Sequence, residues 1–212
     1  MKTIFWNVDT QYDFMRDDKS HKGKLPILGA RLIEGNLELL TKLAKIKNIK
    51  VINTADWHNL DSEELSNNPD FVRTFPPHCL IGTKGAEFVP ATSPENPYII
   101  DWRERNLEAI RLFDSRNIVL YKDKFDVFTG TPHSNSVVEL LRLDRAIVYG
   151  VATNVCVDYA VNGLLERKVQ VYVPLDAIKE LPNLALPYDN WSKRGVNLTT
   201  TNEIYRMFGI KK

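Results

Sequence analysis

Five short apolar runs recur along this chain, and stretches with helical spacing separate them. The runs cover residues 3–8, 51–55, 118–121, 146–149 and 169–173 and are rich in β-branched and aromatic side chains. Runs of that length and composition read as buried strands. Between them, Ile33, Leu37, Leu40 and Ala44 share one face of a helix over about 29–44. Ser134 or Asn135 caps a helix that continues to Leu143. Val157, Ala160, Val161, Leu164 and Leu165 line one face of another, with Thr153 or Asn154 as its cap. Strands that alternate with helices join through right-handed crossovers and pair in parallel. The expected architecture is therefore α/β, a mostly parallel sheet with helices on both faces in three layers. No boundary interrupts residues 1–212, so a single domain is expected.

The remaining segments carry weaker patterns. Residues 59–77 form a polar loop, and residues 89–100, with three prolines, read as a surface excursion. A helix is expected over 102–113, with Leu107, Ile110 and Leu112 as its apolar contacts. The C-terminal part reads as a helix over 189–193, a strand over 196–199 and a last helix from Asn202.

Composition excludes several function classes. Hydrophobic residues make up 43% and charged residues 26%, which suits a soluble globular chain. A formal charge of +1 leaves no electrostatic footprint for nucleic acid. No apolar run is long enough to span a bilayer, and the N-terminus lacks a secretory pattern. Cys79 and Cys156 make no disulfide framework, so a reducing, cytoplasmic location is expected.

Four reactive residues fall at equivalent places. Asp9, Asp56, Lys122 and Cys156 each sit at or just past the carboxyl end of an expected strand. That is the edge at which open α/β sheets hold their ligands. Cys156 lies in the first turn of a helix, where free N–H groups and the positive dipole end favour a thiolate. A free cysteine also serves as a small buried hydrophobe, and Cys156 alone leaves both roles open. Asp9 and Asp56 alone are equally compatible with turn capping.

At these residues the chain resembles the isochorismatase-like cysteine hydrolases, and among them the nicotinamidases. The opening stretch Val8-Asp9-Thr10-Gln11-Tyr12-Asp13-Phe14 is similar to the motif that supplies the catalytic aspartate, at Asp9 rather than Asp13. Asp56-Trp57-His58 together with His78 resembles the metal site, and residues 78–88 are especially close to the nicotinamidase pattern. Lys122, six residues before Phe128, matches the catalytic lysine, and residues 150–157 match the nucleophile segment.

The resemblance implies a catalytic set of Asp9, Lys122 and Cys156. It implies an oxyanion hole from the backbone N–H groups of Ala152 and Cys156, beside a cis Val151–Ala152 peptide. Phe14 and Phe75 would flank a flat substrate. Asp56, His58 and His78 would hold one divalent metal, zinc first, with iron or manganese as alternatives. Asp56 and His58 are two apart, so an extended backbone aims both the same way, and three ligands leave positions open. Glu63, Glu64 and Asp70 are further possible ligands. The implied reaction is the hydrolysis of nicotinamide to nicotinic acid and ammonia through a thioester, a step of NAD salvage and pyridine nucleotide biosynthesis. The alternative is another small amide, ureido or carbamoyl substrate; a silent binding protein ranks below both. A small-molecule amide is thus the expected partner, with no nucleic acid and no membrane, and homo-oligomerisation is left open.

Some positions depart from the family pattern or fall outside it. Asp126 and Val127 replace a small serine and an alanine, Phe75 stands where many relatives have tryptophan, and residues 59–73 lack the usual histidine-and-serine pattern. An extra carboxylate at Asp126 would raise the thiol's pKa or bind a polar substrate group. His21 and His133 read as surface or loop residues, and Cys79 as a packed thiol. Trp6, Trp102 and Trp191 read as core or interface.

Overall fold

The computed structural model describes residues 1–210, and its strands form one eight-stranded parallel sheet. The strands are β1 (Thr3–Val8), β2 (Val51–Asp56), β3 (Tyr98–Ile100), β4 (Asn117–Lys122), β5 (Arg145–Val151), β6 (Gln170–Pro174), β7 (Ile178–Lys179) and β8 (Asn197–Thr199). They lie in the order β3-β4-β2-β1-β5-β6-β8, with β7 added against β5. The helices are α1 (Tyr12–Met15), α2 (Glu34–Ile46), α3 (Ala109–Asp114), α4 (Val127–Gly130), α5 (Ser134–Leu141), α6 (Cys156–Glu166), α7 (Tyr188–Lys193) and α8 (Thr201–Met207).

Both faces of the sheet are covered, and two neighbouring residues of β1 demonstrate it. Successive side chains of a strand point to opposite faces. Phe5 packs against Phe208, just past α8, and Tyr205 of α8 ties that layer to α2 by donating to Leu39 O at 2.8 Å. Trp6 stacks instead on Phe128 of α4, which packs in turn against α6. Central strands buried on both sides explain why the runs are continuously apolar rather than alternating. All six residues of β2 are buried.

Three expectations need correction. The helix expected over 102–113 is only the short α3, with Leu112 buried and Ile110 77% exposed. Upstream, local side chains engage the backbone first. Asp101 accepts from Arg103 N, and Tyr98 Oη accepts from Glu108 N. Such bonds offer the backbone an alternative to a helical ladder. The excursion over 89–100 contains the edge strand β3, where a preceding proline is tolerated. Neither Thr153 nor Asn154 caps α6. Val155 stands at that position, while the Asn154 amide donates to Leu181 O and Leu184 O and its oxygen accepts from Leu181 N.

Gly150 marks where β5 leaves β1. Its φ is 121°, and a Cβ there would lie 2.1 Å from Val8 O. Only glycine permits both the conformation and the approach, and the approach sets Asp9 beside the loop that leads to Cys156.

Candidate active site and metal centre

The topology does most of the assembly. Lys122 and Asp56 end β4 and β2, Asp9 and Cys156 come after β1 and β5, and these strands are adjacent in the order β4, β2, β1, β5. In register, Asp56 pairs with Lys122, and Val8 pairs with Thr54 on one side and Gly150 on the other. Parallel strands in register bring their carboxyl ends to one level, so four residues distant in sequence meet in one place. Strand order also diverges on either side of β1, the kind of crevice at which α/β sheets bind ligands.

Lys122 is fully buried at the centre of this group. Its ammonium lies 2.9 Å from Asp9 Oδ2, against Asp56 Oδ1, and 3.8 Å from Cys156 Sγ. It also donates to Lys124 O at 3.1 Å. The second Asp9 oxygen accepts from Thr54 Oγ1 at 2.6 Å. Gln11 fixes Asp56 through its backbone, accepting from Asp56 N at 2.8 Å and donating to Asp56 O at 2.7 Å.

Electrostatics distinguishes the four groups. Burial raises the Asp9 carboxyl, Lys122 pulls it back, and the net direction is up. Burial acts on Asp56 too, but Lys122 and the two histidines outweigh it and hold that carboxyl well below the usual range. Burial would depress Lys122, yet Asp56 and Asp9 keep it charged and its pKa high. The Cys156 thiol, by contrast, is driven well up by burial despite Lys122. The helix N-terminus and the lysine favour the thiolate, but the desolvation of a buried sulfur exceeds their help. The resting group is a neutral thiol, within 4.8 Å of an Asp9 carboxylate oxygen.

Beside this group lie His58 and His78, both buried. Their Nε2 atoms stand 3.7 and 3.5 Å from Asp56 Oδ2. His78 Nδ1 donates to Pro76 O at 2.8 Å, so Nε2 is the ring nitrogen that faces Asp56. Burial lowers His58, but the neighbouring carboxylates of Asp123 and Asp56 prevail and bring its pKa up to about 9. A metal ion would take the place of that proton. One donor atom from each of Asp56, His58 and His78 falls within a 4.8 Å set, and Asp56 Oδ2 and His58 Nε2 are buried without a hydrogen-bond partner. One carboxylate and two imidazoles suit zinc, iron or manganese. The residues therefore fit a divalent cation. Asp9, Asp56 and Cys156 also approach one another, but the Lys122 ammonium already serves that cluster.

A narrow cavity opens over Cys156, with Asp56, His78 and Ala152 also on its wall. Phe14 and Phe75 line it, together with Phe125, Leu25, Ile27 and Leu181. Phe75 meets Phe125 edge-on at 5.3 Å, and Phe14 lies 5.2 Å from the His78 ring. Leu25, Ile27, Phe125 and Leu181 escaped the sequence reading, because no periodic pattern singles out loop residues. Thr54 was readable as a strand residue but not as the partner of Asp9. The Val151–Ala152 peptide is cis.

The remaining candidates separate cleanly. Glu63 is 83% exposed at its side chain and pairs with Lys124. The Asp70 carboxylate accepts from the backbone N–H groups of Val72, Arg73 and Thr74. Glu64 alone of the three faces the site. It accepts from Phe125 N at 2.7 Å, and burial, with Lys122 opposing and Asp56 adding, brings it up to about 7. Asp126 caps α4 by accepting from Phe128 N at 2.8 Å, which accounts for its acidic side chain there. His21 is not a free surface residue, since it pairs with the buried Asp13 at 3.0 Å. His133 is buried and meets Glu104 O at 2.8 Å. Cys79 is a buried free thiol.

Comparison with known proteins agrees with this arrangement. Residues 3–203 match the model of the isochorismatase domain. The chain belongs to the isochorismatase family. It is 28% identical to the nicotinamidase/pyrazinamidase of Mycobacterium tuberculosis over 166 residues, covering 76% of this chain and 80% of that protein. Among solved structures, the pyrazinamidase of Pyrococcus horikoshii in complex with zinc superimposes with a TM-score of 0.69 at 22% identity, covering 94% of this chain and 99% of that one. The N-carbamoylsarcosine amidase of Thermoplasma acidophilum gives 0.72 at 18% identity, covering 95% and 98%. At such identities these two establish the shared fold. Among the described residues no helix is long and apolar enough to cross a membrane.

Proposed function

We propose that this isochorismatase-family hydrolase is a metal-assisted cysteine amidase that converts nicotinamide to nicotinic acid and ammonia. The observation that carries the reading is the placing of Lys122 between Asp9 and Cys156, with Cys156 on the wall of a largely apolar cavity and Asp56, His58 and His78 beside it.

The chemistry follows from the resting state. As an amide carbon reaches the sulfur, Asp9 takes the thiol proton and the S–C bond forms. The ammonium of Lys122 stabilises the charge that passes through the thiolate. The amide oxygen becomes an oxyanion, and the backbone N–H groups of Ala152 and Cys156 are the donors proposed for it. Cys156 opens α6, so its N–H belongs to the set that a helix leaves without an internal acceptor. The C–N bond then breaks as Asp9 returns its proton to nitrogen, releasing ammonia and leaving a thioester. Asp9 next draws a proton from water, whose oxygen adds to the thioester carbon. Collapse breaks the S–C bond, releases the acid, and restores the thiol. When bound, a divalent cation held by Asp56, His58 and His78 supplies a coordination position for a substrate heteroatom.

The cavity wall favours an uncharged flat amide over a carboxylate-bearing carbamoyl compound. Phe14, Phe75 and Phe125 offer ring surfaces, and the described lining residues include no arginine or lysine to pair with a carboxylate.

The test is ammonia release by zinc-loaded protein from nicotinamide and from a panel of small amide, ureido and carbamoyl compounds. Nicotinamide is expected to lead, and both chelator treatment and His58→Ala to abolish the activity. No turnover of nicotinamide would refute the substrate, and full activity in stripped protein would refute the metal. Unchanged activity in Cys156→Ala would remove the nucleophile.

A further inference from the structure

We propose that Asp123 is a positioning residue for the cation site, holding His58 so that Nε2 points toward Asp56; this rests on the metal reading above. Asp123 follows Lys122 directly at the end of β4, where successive side chains diverge. Lys122 turns in toward Asp9 and Cys156, and Asp123 turns toward His58. One strand end thus serves both halves of the site.

The geometry is specific. His58 Nδ1 lies 3.1 Å from Asp123 Oδ1, and Ser62 Oγ donates to the same oxygen. Ser62 is buried, and its backbone N–H bonds to Asn59 O, so the carboxylate is held from the polar loop as well as from β4. An ionised carboxylate only accepts hydrogen bonds, so His58 must present N–H at Nδ1. Its Nε2 is then the atom left for a ligand bond. That atom is buried without a hydrogen-bond partner, 3.7 Å from Asp56 Oδ2. His78 is oriented in the same sense by a backbone carbonyl, a neutral acceptor. His58 has the charged one, which increases the basicity of the ring as a ligand. No local pattern around Asp123 announces this, because its partner is 65 residues away.

The experiment measures zinc affinity by competition with a chromophoric chelator, for wild-type protein, Asp123→Ala and Asp123→Asn. Loss of the carboxylate is expected to weaken zinc binding by roughly 10- to 100-fold. Asn keeps an accepting oxygen without the charge, so its affinity should lie between the other two. Melting of the stripped proteins tests the fold separately, and the near-isosteric Asn variant serves if Ala does not fold. Imidazole ¹⁵N spectra of the zinc-loaded protein should show Nδ1 protonated and Nε2 ligated at His58. Wild-type affinity in Asp123→Ala would overturn the inference, as would Asn binding no better than Ala. Wild-type protein that binds no zinc would remove the metal reading and this inference together. Zinc binding that weakens as expected, in a protein that hydrolyses no amide, would sink the proposed function and leave the role of Asp123 standing.

Discussion

Lys122 is the side chain whose charge the site can least do without. Its ammonium is buried 2.9 Å from Asp9 Oδ2 and also contacts Asp56 Oδ1. At an effective dielectric of about 20, unit charges at that separation attract by roughly 6 kcal/mol. Much of the attraction offsets the desolvation of the three charges, and removing one partner of a buried pair costs about 3–5 kcal/mol. Lys122→Met keeps an unbranched chain of similar reach and deletes the charge, leaving two carboxylates in one buried space. In chelator-stripped protein near neutral pH the expected loss is about 3–5 kcal/mol. With a urea slope of about 2 kcal/mol/M, the unfolding midpoint falls by about 1.5–2.5 M.

The pH dependence supplies the sharper test. In the intact protein the Asp56 pKa lies well below its unfolded value of about 3.9, so its stabilisation is present above that value and lost as pH falls. Asp9 is raised, so its ionisation opposes folding as pH climbs past the unfolded value. Without Lys122 the largest pull toward ionisation is gone from both carboxyls, and the Asp9 folded value moves further above about 3.9 while Asp56 keeps only its histidines. The variant then regains stability toward about pH 5, a range in which intact Asp56 stays ionised whether folded or not. Urea titrations at about pH 7.5 and about pH 5 should show the gap between variant and wild type closing. A gap that stays constant, or a variant as stable as wild type, would refute the charge arrangement. Adding Asp9→Asn to Lys122→Met should restore part of the loss, because one of the two facing carboxylates is gone.

Two other outcomes follow from the same geometry. Gly150→Ala would place a Cβ 2.1 Å from Val8 O at a φ of 121°. Backbone strain and overpacking together should cost about 4 kcal/mol, a melting temperature lower by about 10 °C; a shift under about 2 °C would mean that β1 and β5 are not so close. Asp9→Asn should leave the protein folded and lower kcat by about 10²- to 10⁴-fold. In wild type the acid limb of kcat/KM should lie above the ordinary carboxylate range, because burial raises Asp9, and the variant should lose that limb; a wild-type limb near pH 4 would contradict it.

What the sequence disclosed depended on whether a residue's role was set locally or by what packs against it. Asp9, Asp56, Lys122 and Cys156 were legible because each lies at or beyond the carboxyl end of a strand, and a parallel sheet in register turns that position into proximity. The buried runs disclosed the strands for the same reason, apart from β3 behind its prolines and the two-residue β7. Asn154 misled as a cap because three bonds to residues 181 and 184 outweigh one to the start of α6. The Cys156 thiol is the instructive case. Helix position and Lys122 both argue locally for a thiolate, yet burial, which no local pattern records, reverses the result. That reversal bears on the proposed mechanism. A neutral resting thiol beside Asp9 is a poor nucleophile and resists oxidation until an amide enters the cavity. Asp9, raised by the same burial, is then matched to take the proton and to return it to nitrogen, as a carboxyl far below neutrality would not be.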